Sequence, residues 1–131
     1  MSYNAKPKNW YRVDRFINKV PFGKVGKIYE QCDILLKSSW LESFSYPPLE
    51  MMATGGYCVV AQNEGNIEYL KNKENCLFYK LGEIDEAVDC IELLVNDKNL
   101  QEHLYKNGLA TANERDLKNF KKQILNLYNE S

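Results

Sequence analysis

The sequence predicts an α/β domain of three layers, with helices on both faces of a small parallel sheet. Three observations lead there. Short apolar segments alternate with segments of helical periodicity in the order strand, helix, strand, helix, strand, helix, strand. That alternation belongs to parallel sheets built from strand–helix–strand units. The apolar segments are continuous rather than alternating, as in strands covered on both faces. The 131 residues suffice for one domain with a real core.

Taken in order, residues 1–12 are polar, with Lys6, Lys8 and Arg12 around Trp10 and Tyr11. Such a basic, aromatic segment could touch phosphates or a membrane surface; the simpler reading is an arm or boundary segment ahead of a domain over 13–131. In "RVDRFINKV", Val13, Phe16 and Ile17 predict a first strand, broken by Pro21 and Gly23. In "KVGKIYEQC", Val25, Ile28, Tyr29 and Cys32 recur at helical spacing. "DILLKSS" is a short buried strand, with Ser38 and Ser39 as its closing turn. Pro47 and Pro48 suit the first turn of a helix, where N–H groups have no partner. Leu49, Met51, Met52 and Ala53 form its body, and Gly55 or Gly56 ends it.

"YCVVA" and "CLFY" are two more buried strands. Between them "NEGNIEYLKNKEN" predicts a turn and a short helix with Ile67 and Leu70 inward. Residues 83–131 are mainly helical. One helix places Ile84, Ala87, Val88, Ile91, Leu94 and Val95 on one face. A second carries Leu100 and Leu104 and stops at Gly108, with His103 on its surface. A third carries Leu117, Phe120, Ile124 and Leu127 in register.

The bulk chemistry excludes several functions. A net charge of −1 and a pI near 5.9 imply no global attraction to nucleic acid or anionic lipid. No apolar run approaches the roughly 20 residues of a membrane helix, and the N-terminus lacks the apolar core of a secretory signal. Cys32, Cys58, Cys76 and Cys90 form no CxxC pair, and reduced, buried thiols point to the cytoplasm. One histidine argues against a zinc site or a Cys/His nucleophile. GxxxxGK[ST], GxGxxG and GxSxG are all absent.

The chemistry gathers in "ESFSYPPLEMMATGG", Glu42 to Gly56. Ligands of parallel α/β sheets bind beyond the carboxyl ends of the strands. Two loops leave such ends, "SSWLESFSY" and "QNEGN". Free N–H groups and the dipole at the following helix N-termini favour an anion such as a phosphate. Ser43, Phe44, Ser45 and Tyr46 can offer N–H groups; Pro47 and Pro48 cannot. Glu50, one turn inside its helix, could accept hydrogen bonds from the paired hydroxyls of a ribose or hexose. Glu42 would reach the same cavity from its rim. The bland alternative is two acids that stabilise a helix N-terminus by a few tenths to about 1 kcal/mol with no ligand.

From Tyr29 to Tyr79 the sequence resembles the C-terminal, nucleotide-sugar-binding domain of GT-B fold glycosyltransferases, family 4 or group 1. The family carries two glutamates separated by seven residues after an aspartate-led strand ending near a serine. Asp33, Ser39, Glu42 and Glu50 take those places, and Gly55, "CVVA", Gly65 and Glu68 follow as in the family. The resemblance implies a Rossmann-like α/β/α domain lacking its opening strands. It implies that Glu50 binds the ribose and that Glu42 meets the donor sugar near the reacting centre, as the catalytic residue of the set. Ser43, Phe44, Ser45 and Tyr46 would meet the sugar and diphosphate, and Gly65, with Glu64 and Asn66, would line the far wall.

The implied reaction is retaining transfer of a hexosyl or deoxyhexosyl group from a nucleoside diphosphate sugar to a glycan or lipid-linked acceptor, without a required metal. An acceptor domain outside this chain is implied, so the chain alone should bind donor weakly and not turn over. Peripheral membrane association would belong to the full enzyme. Departures from the pattern are Ser43 and Ser45 in place of glycines, which narrow the approach to the backbone, and Glu64 in place of the first glycine of the second turn. The family's Arg and Lys for the diphosphate find no good match: Lys24 and Lys27 lie in a different element, and Lys37 lies in a strand. Two other readings stay open: a non-catalytic nucleotide-binding or interaction module of this fold, and a purely structural domain.

Overall fold

The computed structural model describes residues 12–116 and 125–126. The basic N-terminal arm through Tyr11 and nearly all of the predicted last helix lie outside the described residues.

Three parallel strands form the sheet, β1 (Ile34–Lys37), β2 (Tyr57–Ala61) and β3 (Leu77–Tyr79), in spatial order β1-β2-β3. Leu35 lies opposite Cys58, and Val60 opposite Phe78. The central strand is buried on both faces, which explains its unbroken apolar run: Cys58, Val59, Val60 and Ala61 are each at most 1% exposed. Cys58 and Val60 face a cluster with Val25, Tyr29, Met51, Met52 and Leu70. Val59 and Ala61 face Ala87, Leu94 and Leu104 on the other side. Helices α1 (Val25–Tyr29) and α2 (Tyr46–Ala53) supply the first layer. Helices α3 (Ile84–Asn96) and α4 (Lys98–Glu114) supply the second, and α4 also reaches across to pack on α2. Full burial of each large apolar side chain contributes about 1.5–3 kcal/mol, so the two clusters carry most of the fold's stability.

Helix α2 has the boundaries its sequence encodes. Ser45 is extended at its start, prolines occupy its first turn, and Gly55 follows it with φ +81°, a left-handed conformation that glycine adopts without strain.

Several expectations are corrected. Residues 12–20 form no strand, because no neighbouring strand offers them a ladder; Val13 and Phe16 stay exposed. The segment instead flanks an apolar groove of about 540 Å³ with Ile28, Tyr29 and Leu35. Helix α1 ends before Cys32, which is exposed, and Cys90 is half-buried; only Cys58 and Cys76 are fully buried thiols. Residues 64–69 make turns rather than a helix, because the side chains of Asn63 and Asn66 take up the local backbone groups. Leu70 is buried there, but Ile67 is 50% exposed. On α3, Ala87 and Leu94 turn inward while Ile84, Val88 and Val95 are exposed, so the covered stripe is narrower than the apolar arc. Helix α4 runs through Gly108, because that glycine is where it meets Met52 of α2: a Cβ there would lie 3.2 Å from Met52 Cγ.

Candidate functional site

Parallel pairing brings the carboxyl ends of β1 and β2 side by side, so the loops after them, residues 38–45 and 62–70, share one end of the sheet. Side-chain amides join and shape them. Asn63 Nδ2 donates to the Ser39 carbonyl at 3.1 Å, and Asn63 Oδ1 accepts from the Gly65 N–H at 3.1 Å. Asn66 is fully buried; its Nδ2 donates to the Ala61 carbonyl at 2.9 Å and its Oδ1 accepts from the Asn63 N–H at 3.1 Å. Gly65 lies directly on the Glu42 backbone, where any Cβ would fall 1.8 Å from the Glu42 carbonyl oxygen.

The entrance to α2 is held from beneath by Tyr69. Its hydroxyl donates to the Ser45 carbonyl, and its ring lies 5.4 Å from that of Phe44, which in turn packs edge-on to Tyr46 at 4.9 Å. Burial above all, with the neighbouring Cys58 thiol, pushes the Tyr69 phenol well above its ordinary range, so it remains a neutral donor. On the outer side Arg115 pairs with Glu68 at 2.7 Å and lies 5.9 Å above the Tyr69 ring.

Glu42 is half-buried. Its Oε1 pairs with the Lys37 ammonium, which also donates to Ser39 Oγ at 2.6 Å. Its Oε2 is buried with no hydrogen-bond partner among the described residues, and so is Ser45 Oγ. Ser45 stands at the N-cap, yet its side chain caps nothing. Among the described residues the backbone N–H groups of Ser43, Phe44, Ser45 and Tyr46 donate no hydrogen bond to the protein. Glu50 is half-buried on α2, and its carboxylate makes no hydrogen bond or ion pair among the described residues. Unpartnered acceptors and donors thus collect around one helix N-terminus, an arrangement suited to a ligand that is anionic at one point and rich in hydroxyls at others.

The structure therefore brings Ser43, Phe44, Ser45, Tyr46, Glu42 and Gly65 together, with Glu50 on the helix they lead into. Asn66 belongs to the same end of the sheet, with its amide spent on the turn, and Glu64 is exposed on the turn's outer side. Asn63 and Tyr69 were not singled out by sequence, and Lys37 was set aside there as a strand residue. Lys37 carried one signal, a lone cation at the carboxyl end of an otherwise apolar strand. Among the described residues no three His, Cys, Asp or Glu side chains come together as a set of metal ligands, and no helix is long and apolar enough to cross a membrane.

The profile of the family described as glycosyl transferases group 1 matches residues 13–111. The chain belongs to that family. Among curated relatives of this group 1 chain is the N,N'-diacetylbacillosaminyl-diphospho-undecaprenol alpha-1,3-N-acetylgalactosaminyltransferase of Campylobacter jejuni. It is 30% identical over 102 residues, covering 78% of this chain and 27% of the relative. The O-antigen biosynthesis protein RfbC of Myxococcus xanthus is 38% identical over 61 residues, 47% of this chain and 5% of the relative.

Among solved structures, HepE of Anabaena in complex with UDP-glucose superposes with a TM-score of 0.76 at 22% identity, over 89% of this chain and 32% of that one. Sucrose-phosphate synthase of Thermosynechococcus elongatus gives 0.77 at 18% identity, over 88% and 29%. The C-terminal domain of the group 1 protein LpcC of Francisella tularensis gives 0.66 at 22% identity, over 77% and 51%. The fold is therefore that of the GT-B C-terminal domain. The chain spans about a quarter of the Campylobacter relative's length.

Proposed function

We propose that this chain carries the donor half of a retaining glycosyltransferase, binding a nucleoside diphosphate sugar at the entrance to α2. The observation that carries the reading is the set of unpartnered groups there: Glu42 Oε2, Ser45 Oγ, the N–H groups of residues 43–46 and the Glu50 carboxylate. Glu50 accepts the ribose hydroxyls. Glu42 faces the donor sugar near the reacting carbon, where a carboxylate stabilises positive charge as the glycosidic bond lengthens. The N–H groups of Ser43 to Tyr46 receive the diphosphate, whose negative charge grows as it leaves, so no metal ion is required of the site. Gly65, Glu64 and Asn66 form the opposite side.

The donor sugar is a hexose or deoxyhexose, and the acceptor is a glycan or lipid-linked glycan, in keeping with the relatives' named roles in O-antigen and undecaprenol-linked chemistry. The setting is the cytoplasm, with the whole enzyme at the inner membrane face where the acceptor is lipid-linked. These residues build a donor site and not an acceptor site, so the chain by itself binds donor without turnover. Titration of the chain with UDP-, GDP- and dTDP-sugars, followed through the amide resonances of residues 42–50, tests the reading. Saturable shifts confined to the two loops and α2 are expected with one base. No shift at millimolar ligand in any series overturns it.

A further inference from the structure

We infer that Lys37 is a positioning residue of the donor site, an internal counter-ion that lets the Glu42 carboxylate stand beside an anionic donor. The inference rests on the donor-site reading. Glu42 has a geometric problem on that reading: it lies in the loop whose N–H groups are to receive a diphosphate, and like charges brought together in a poorly solvated cleft repel strongly. The structure holds the remedy. Lys37 is the last residue of β1, and its side chain is only 11% exposed. Its ammonium grips Glu42 Oε1 and donates to Ser39 Oγ at 2.6 Å, so its charge is spent inside the loop rather than in solvent.

The backbone that carries this lysine is also fixed. The Tyr79 hydroxyl donates to the Lys37 carbonyl at 3.1 Å across the sheet, and Asn63 holds the Ser39 carbonyl from the neighbouring loop. One carboxylate oxygen of Glu42 is thereby occupied. The other, buried and without a partner among the described residues, is left to take a hydrogen bond from a ligand hydroxyl. A surface ion pair would contribute little and position nothing; a largely buried, doubly bonded one fixes both geometry and charge.

A merely structural latch and a counter-ion differ in one measurable respect, namely rescue by removing the acid. The experiment measures dissociation constants of the best-binding nucleoside diphosphate from the UDP, GDP and dTDP set. The proteins are the full chain and its Lys37→Met, Lys37→Arg, Glu42→Gln and Lys37→Met/Glu42→Gln variants. Lys37→Met is expected to weaken binding about tenfold or more, and Lys37→Arg by no more than about threefold. The double variant is expected to recover to within about threefold of the wild type, because the uncompensated negative charge is gone. If Lys37→Met does not fold, Glu42→Gln alone decides: freeing the ammonium should tighten nucleoside diphosphate binding several-fold and steepen its salt dependence. A folded Lys37→Met that binds as the wild type does, a double variant as weak as Lys37→Met, or a Glu42→Gln that binds unchanged overturns the inference while leaving the donor site standing. A wild-type chain that binds none of the nucleotides removes both.

Discussion

Gly65 and Glu42 touch through their backbones, so closely that a Cβ on residue 65 would lie 1.8 Å from the Glu42 carbonyl oxygen. This contact sets how far apart the two loops of the site can lie. Because the obstacle is backbone and not a flexible side chain, Gly65→Ala cannot be absorbed by a rotamer change. It is expected to cost about 1–3 kcal/mol in urea unfolding and to shift the amide resonances of residues 40–46, far upstream in the chain. Unchanged stability and unchanged loop resonances would contradict the packing described.

Asn66 spends both ends of its amide on the turn, bonding the Ala61 carbonyl and the Asn63 N–H. Asn66→Ala leaves two inward-facing backbone groups without partners, at about 1–3 kcal/mol for each that water cannot reach. Hydrogen exchange at Asn63 and Gly65 should accelerate in the variant while exchange in β2 stays slow. Acceleration spread evenly over the sheet would instead make Asn66 a general core residue.

Gly108 lets α4 approach α2 at Met52. Gly108→Val gains helix propensity but drives two methyl groups toward Met52, and overpacking of this kind costs about 1–3 kcal/mol. Adding Met52→Ala should return part of the loss, since the cavity it opens is the space the valine needs. Additive losses in the double variant would show that the two residues do not meet.

Two buried thiols give the fold a pH limit on the alkaline side. Burial is the main cause that pushes the Cys76 thiol up to about 12, and it raises that of Cys58 as well. An unfolded thiol titrates at about 8.5. Above that value the unfolded chain releases protons that the folded chain retains, so stability is intact below about pH 8.5 and falls as pH rises toward 12. The slope is at most about 1.4 kcal/mol per pH unit for each thiol. Urea unfolding at pH 7, 8.5 and 10 should show a plateau and then a decline. Cys76→Ala should flatten the decline, and the exposed Cys32→Ser should leave it unchanged.

The central strand was legible because a doubly covered strand needs a run such as Cys58-Val59-Val60; the run Ile34-Leu35-Leu36 placed β1 correctly but not its burial, because β1 is an edge strand whose Leu36 stays exposed. Helix α2 was legible because its prolines and its left-handed Gly55 are local backbone signals. The segment 12–20 was misread because a strand depends on a neighbour that its own pattern does not reveal. Gly108 was misread because a glycine can end a helix or admit another one, and only Met52 decides which. At the candidate site, the acids at 42 and 50 and the proline-marked helix entrance stand out in the sequence itself, whereas the Lys37 contact depends on the loop after β1 folding back onto the strand's last residue. Tyr69 was hidden for the same reason: its partner, the Ser45 carbonyl, is 24 positions away.

The most direct test of the donor-site account is the affinity of the chain for a nucleoside diphosphate in Glu50→Ala beside Glu64→Ala, measured by calorimetry with folding confirmed by amide spectra. Glu50 is half-buried one turn inside α2, its carboxylate without a partner among the described residues, whereas Glu64 is exposed on the adjoining turn. The account predicts loss of about tenfold or more in Glu50→Ala, the size of a charge-assisted hydrogen-bond pair to two hydroxyls, and a change within about threefold in Glu64→Ala. Equal affinities in wild type and Glu50→Ala would contradict it.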